Sequence, residues 1–164
     1  MAQHRHDLLR EGLITGVIGA FAVAVWFLLT DLAQGRPLST PSVLGQVILY
    51  RVTTPVVTPP DTGAVIAYSL LHLGAFVFFG IAVTQLVHLA MSSPVARFGL
   101  MMVAVCFEVF FLIMIYAVFH ATSHLFPWWS VLAANTLSLV AMGLYLKRSH
   151  PGLKHQYDKE PLGA

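Results

Sequence analysis

The chain has 164 residues, of which 57% are hydrophobic and only 10% charged. Soluble globular domains carry about 25% charged residues, so this composition excludes an ordinary water-exposed surface, and a formal charge of +2 excludes nucleic acid as the evident partner. The length allows one domain, and the single cysteine, Cys106, excludes an intramolecular disulfide.

Residues 1–12 are polar apart from Leu8 and Leu9 and read as a helical lead-in at a membrane surface. His4 and His6 fall here, where histidines near a terminus are ordinarily solvated. The first apolar run, about 13–33, supplies the roughly 20 residues that a helix needs to cross a bilayer core. It is longer than the apolar core of a signal peptide, about 7–15 residues, and further spans follow, so it reads as a retained helix. Gly12, Gly16, Gly19 and Ala20 form a small-residue stripe in this run. Gly12 and Gly16 have the GxxxG spacing that lets a second helix approach closely. The plain reading is a packing face inside the chain's own bundle.

Residues 34–62 form a long, proline-rich connection. Thr40 and Pro41 suit a helix start, with Thr as the cap and Pro at the first helical position. A short amphipathic helix over 42–50 would place Leu44, Val47 and Ile48 on one face. It is too short to span, so it is expected to lie at the interface. Pro55, Pro59 and Pro60 keep the following chain extended. Long loops are often interaction surfaces, and docking is the role expected here.

The second span covers about 63–90, with Asp61 and Thr62 supplying its cap chemistry. Tyr68 and His72 lie one helical turn apart on one face, Gly74 and Gly80 are close-packing candidates, and Gln85 and His88 fall near the far end. The third span covers about 98–120 and the fourth about 128–147, ended by Lys147 and Arg148. The predicted fold is therefore all-α: a polytopic membrane protein with four transmembrane helices in an up-down bundle and a short interfacial helix in the first outer loop. The spanning domain is 13–148, including loop 34–62. Residues 1–12 form the lead-in and 149–164 a polar tail.

Basic residues collect on the cytoplasmic side of membrane proteins. With both termini there, that side holds Arg5, Arg10, Arg97, Lys147, Arg148, Lys154 and Lys159, against Arg36 and Arg51 outside. The prediction is therefore that both ends are cytoplasmic. Tyr50, Trp128 and Trp129 then fall in the outer aromatic belt.

Ionisable groups within spans are costly, roughly 2.5–3.5 kcal/mol at the centre of a helix, and are functional candidates by default. His72 and Glu108 each lie about 15 Å from the end of their span, near the middle of the bilayer. They approach that level from opposite directions. This predicts a buried polar network of His72 and Glu108, completed by Asn135 and Trp26. Two readings stay open: interhelical polar glue, at about 0.6 kcal/mol per bond, or a proton-relay or ligand site. His72 is also a candidate for single-histidine ligation of a haem or chlorin, with phenylalanines around it to face the ring. His120 and His124 have the i, i+4 spacing that puts two imidazoles on one α-helical face, as a metal site needs. The sequence requires no cofactor. It contains no Gly-rich phosphate loop, CxxC or HExxH motif.

Three stretches, Trp26 to Gly45, Phe107 to Phe111 (FEVFF) and Pro127 to Pro151, together resemble a family of uncharacterised four-helix bacterial integral membrane proteins. That resemblance implies a bacterial inner-membrane protein with four spans and transfers no catalytic residue. The leading functional expectation is a non-catalytic accessory or interaction subunit of a larger membrane complex, respiratory or photosynthetic. Its partners would be the lipid bilayer and either a membrane protein or a second copy of the chain. The alternatives are a redox protein holding its cofactor on His72 and a small proton pathway through His72 and Glu108.

Overall fold

A computed structural model describes residues 2–91, 93–118 and 120–150, with side chains from Leu8 onward except at positions 94, 118, 121 and 123. Five α-helices follow in order: α1 (Ala2–Ala33), α2 (Ser39–Tyr50), α3 (Thr62–Ala90), α4 (Pro94–Val118) and α5 (Trp128–Ser149). A 3₁₀ segment, His120–Leu125, joins α4 to α5. Four helical segments are long and apolar enough to cross a membrane: Leu8–Ala33, Thr62–Ala90, Val95–Ala117 and Trp128–Ser149. The fold is all-helical among the described residues, as the apolar runs predict. The side chains of His4 and His6 and the tail from 151 onward lie outside the described residues.

The element boundaries differ from the sequence reading in instructive ways. The lead-in is continuous with the first span, so α1 is one helix of 32 residues. Likewise α4 starts at Pro94 rather than at Phe98, because proline is tolerated in a first helical turn. α1 ends at Ala33, and Gly35, with a φ of +69°, turns the chain while Arg36 N donates to Asp31 O.

α1 occupies the centre, packed on α3 and α5, and α4 stands outside against α3 and α5. The α1–α3 seam is set by glycine. A Cβ on Gly16 would lie 2.4 Å from Phe76 O, and one on Gly80 would lie 2.4 Å from Gly16 N and 2.5 Å from Gly12 O. The small-residue stripe thus packs within the chain. Gly74, in contrast, has open space where its Cβ would be, so it is no packing position.

The seam is followed by a core of Ala20, Val23, Phe76, Phe107, Ala134 and Met142. A second cluster of Val43, Leu44, Ile115, Phe126 and Val131 joins α2 to α4, α5 and the 3₁₀ segment. We call the end of the bundle where α1 begins and α5 finishes basal, and the end carrying α2 distal.

α2 is a fastened element rather than a helix resting on a surface. Ser39, Thr40 and Ser42 through Gln46 are all buried. Thr40 does not cap the helix. Leu38 precedes it in a left-handed conformation, and the Thr40 N–H and hydroxyl both donate to the Asp31 carboxylate, each at 2.7 Å. Gln46 binds both backbone groups of Val56 at 2.9 Å, and Ser42 Oγ accepts from Asp61 N at 2.8 Å. Of the three residues expected on one apolar face, Leu44 is buried, Val47 packs against the core and Ile48 is exposed. The inward face of α2 also carries Ser39, Thr40, Ser42 and Gln46, so it is partly polar.

Candidate metal centre

At the basal end, three helices bring three metal-capable side chains together. Glu11 stands near the start of the α1 span, His88 in the last turn of α3, and His150 caps α5. Among the described residues these form the group in which one ligand atom from each of three side chains lies within 4.8 Å of the others. His88 Nε2 is 3.1 Å from Glu11 Oε2 and 3.1 Å from His150 Nε2. The two imidazoles meet edge to face, with centroids 4.7 Å apart. All three side chains are largely shielded, at 12–21% exposure.

Proton counting makes the arrangement informative. His150 Nδ1 lies 3.3 Å from Leu146 O, which can only accept, so Nδ1 carries the proton. In the neutral ring Nε2 then presents a lone pair towards His88. Backbone carbonyls hold metal-ligating histidines in this way. His88 Nε2 can carry at most one proton, yet it faces Glu11 Oε2 and His150 Nε2 at the same distance. The other carboxylate oxygen, Glu11 Oε1, is buried and accepts no hydrogen bond, although His150 Nδ1 passes at 3.2 Å. The Glu11 carboxylate and the two imidazoles thus bring three atoms that can hold a cation to one place.

A cation would fit that arrangement. Donors bound at about 2.0–2.2 Å in tetrahedral or octahedral geometry stand about 2.8–3.6 Å apart, a range that includes the 3.1 Å from His88 Nε2 to Glu11 Oε2 and to His150 Nε2. Two histidines and one carboxylate form a donor set suited to zinc or divalent iron. The C-terminal ends of α3 and α5 add partial negative charge.

The residues singled out from sequence are placed differently. His72 Nε2 donates to Ala20 O at 3.3 Å, and its ring lies between Tyr68 and Phe76. Glu108 accepts from Thr136 Oγ1 at 3.0 Å. Asn135 faces the same carboxylate, but Glu108 Oε2 and Asn135 Nδ2 are each buried without a hydrogen-bond partner. Trp26 Nε1 donates to Ser130 Oγ at 3.0 Å. Among the described residues no hydrogen bond joins His72 to Glu108. Phe76, against His72, also packs edge-on to Phe107. With Nε2 turned to the α1 backbone, His72 offers a haem or chlorin only Nδ1.

His120 and His124 lie on the 3₁₀ segment, both exposed. Three residues per turn set i and i+4 about 120° apart, so they do not share the face that an α-helix would give them. Neither joins a three-ligand group among the described residues.

No family model, no curated protein and no solved structure matches the chain. The resemblance to four-helix bacterial proteins therefore gains no support from these comparisons, and the four spans stand on the structure itself.

Proposed function

We propose that the protein is a metal-binding integral membrane protein, in which Glu11, His88 and His150 hold one divalent transition ion and clamp the basal ends of α1, α3 and α5. The observation that supports this reading is the convergence of three donor atoms within 4.8 Å of one another, with His88 Nε2 standing 3.1 Å from both Glu11 Oε2 and His150 Nε2. The role is holding rather than catalysis. The cavities of about 360 and 200 Å³ lie elsewhere, and none of the three donors lines them. On the charge distribution the basal end, with Arg10, Arg97, Lys147 and Arg148, faces the cytoplasm.

The test is zinc titration of the detergent-purified, chelator-stripped protein by calorimetry. One ion per chain is expected, and His88→Ala, His150→Ala and Glu11→Gln should each weaken binding at least about tenfold. Unchanged affinity in a folded His88→Ala/His150→Ala double variant would overturn the proposal.

A second reading, the accessory subunit, is favoured by α4. It is the span least buried within the chain, and Met101, Val105, Val109 and Ile113 leave one face open to lipid or to a partner helix. Mild solubilisation followed by identification of stoichiometric co-purifying chains tests that reading.

A further inference from the structure

The largest cavity described, about 360 Å³, lies between the distal halves of α1 and α3 beneath the start of α2. Its volume falls within the range of small-ligand sites, about 300–1,000 Å³. The wall is almost wholly apolar, and two residues at its mouth, Phe21 and Leu73, are exposed within membrane-spanning segments. The opening is therefore lateral, towards lipid. A ligand would enter from the bilayer.

The polar groups in the wall select the head of such a ligand. Tyr68 and His72 both line the cavity, stacked one turn apart with ring centroids at 5.9 Å. Because His72 Nε2–H is spent on Ala20 O, neutral His72 presents Nδ1 as an acceptor. Tyr68 Oη makes no hydrogen bond to any described residue and can donate. Asp31, at the distal end of the cavity, turns both carboxylate oxygens to Thr40 and is only 3% exposed. Its charge opposes an anionic head while its oxygens are already engaged.

We infer that this cavity is a binding site for a neutral, hydroxyl-bearing amphiphile of the lipid phase, whose hydroxyl donates to His72 Nδ1 and accepts from Tyr68 Oη while its apolar body runs out between α1 and α3. A long-chain alcohol headgroup and a hydroquinone present the same chemistry, and separate probes distinguish them. This site is independent of the basal metal centre.

The experiment uses full-length protein in lipid nanodiscs and two diazirine-bearing photoprobes, an alkyl alcohol and an alkyl hydroquinone, each paired with its methyl ether. Labelling by at least one hydroxylated probe should map to Val17–Leu28 or Tyr68–Leu73 and be competed by its unlabelled parent but not by the ether. Tyr68→Phe, which removes one hydrogen bond and keeps the ring, should cut labelling about five- to tenfold. Ala24→Trp, at the cavity wall, should abolish it. Equal labelling by alcohol and ether, or labelling spread evenly over the exposed face of α4, would overturn the inference. So would preferential binding of dodecylamine that is lost in Asp31→Asn.

Discussion

Gly80 of α3 rests directly on Gly16 of α1: a Cβ at Gly80 would come within 2.4 Å of the Gly16 backbone nitrogen. Backbone on both sides of this contact leaves no flexible side chain to yield. Gly80→Ala should therefore force the helices apart, at about 1–3 kcal/mol. Gly74→Ala, on the same helix but facing open space, should change stability by no more than about 0.5 kcal/mol. Thermal melts in one detergent compare the two. Equal melting temperatures for Gly80→Ala and the parent would show that the seam is looser than described.

The Asp31–Thr40 contact makes a different prediction. Both hydrogen bonds to Thr40 end on one buried carboxylate, and such charge-assisted bonds exceed neutral ones. Asp31→Asn should cost about 1–3 kcal/mol and loosen α2 selectively, seen as faster amide exchange over residues 39–46. Thr40→Val removes the hydroxyl half of the same contact, so the double variant should cost less than the sum of the two singles. Strict additivity would mean that the two side chains stabilise the fold separately.

These two contacts also mark how much the sequence discloses. Apolar run length shows the four spans because a bilayer sets a length that the chain must meet. The Gly12/Gly16 stripe shows the seam because only small residues permit such an approach. The basal site was hidden by distance along the chain: positions 11, 88 and 150 share no motif. A signal existed nonetheless. Each lies near the end of a span, and with both termini on one side of a four-span bundle all three end up at the same level. Depth along the span sets His72 and Glu108 at one level, but depth does not fix the direction of a side chain. His72 bonds to Ala20 of α1 and Glu108 to Thr136 of α5. At His120 and His124 the i, i+4 spacing suits an α-helix, but the chain there tightens to 3₁₀.

If Glu11, His88 and His150 hold an ion, the ion stabilises the bundle by mass action. At zinc concentrations near one hundred times Kd the gain is about 2.7 kcal/mol. Chelator should lower the melting temperature of the protein as purified, and added zinc should restore it. His88→Ala and His150→Ala should melt at the same temperature with zinc and with chelator. A shift of parental size in those variants would place the ion elsewhere.

Glu108 offers the sharpest separation of structure from activity. Its Oε1 accepts from Thr136, while Oε2 and the neighbouring Asn135 Nδ2 are buried without partners. A carboxylate at this depth costs roughly 2.5–3.5 kcal/mol when ionised. Glu108→Gln keeps the oxygen for Thr136 and adds an N–H that a turned Asn135 amide can accept. Stability should hold or rise. Glu108→Leu leaves the Thr136 hydroxyl without that acceptor and should lose about 1–3 kcal/mol. Melts at neutral pH decide between the two outcomes, and a Gln variant as unstable as the Leu variant would mean that the site requires the charge itself. The same Gln preparation in liposomes addresses proton transfer. A chain that passes protons through Glu108 would lose flux while melting normally. We expect no such loss, because no hydrogen bond among the described residues links this carboxylate to His72: His72 meets Ala20 O and Glu108 meets Thr136.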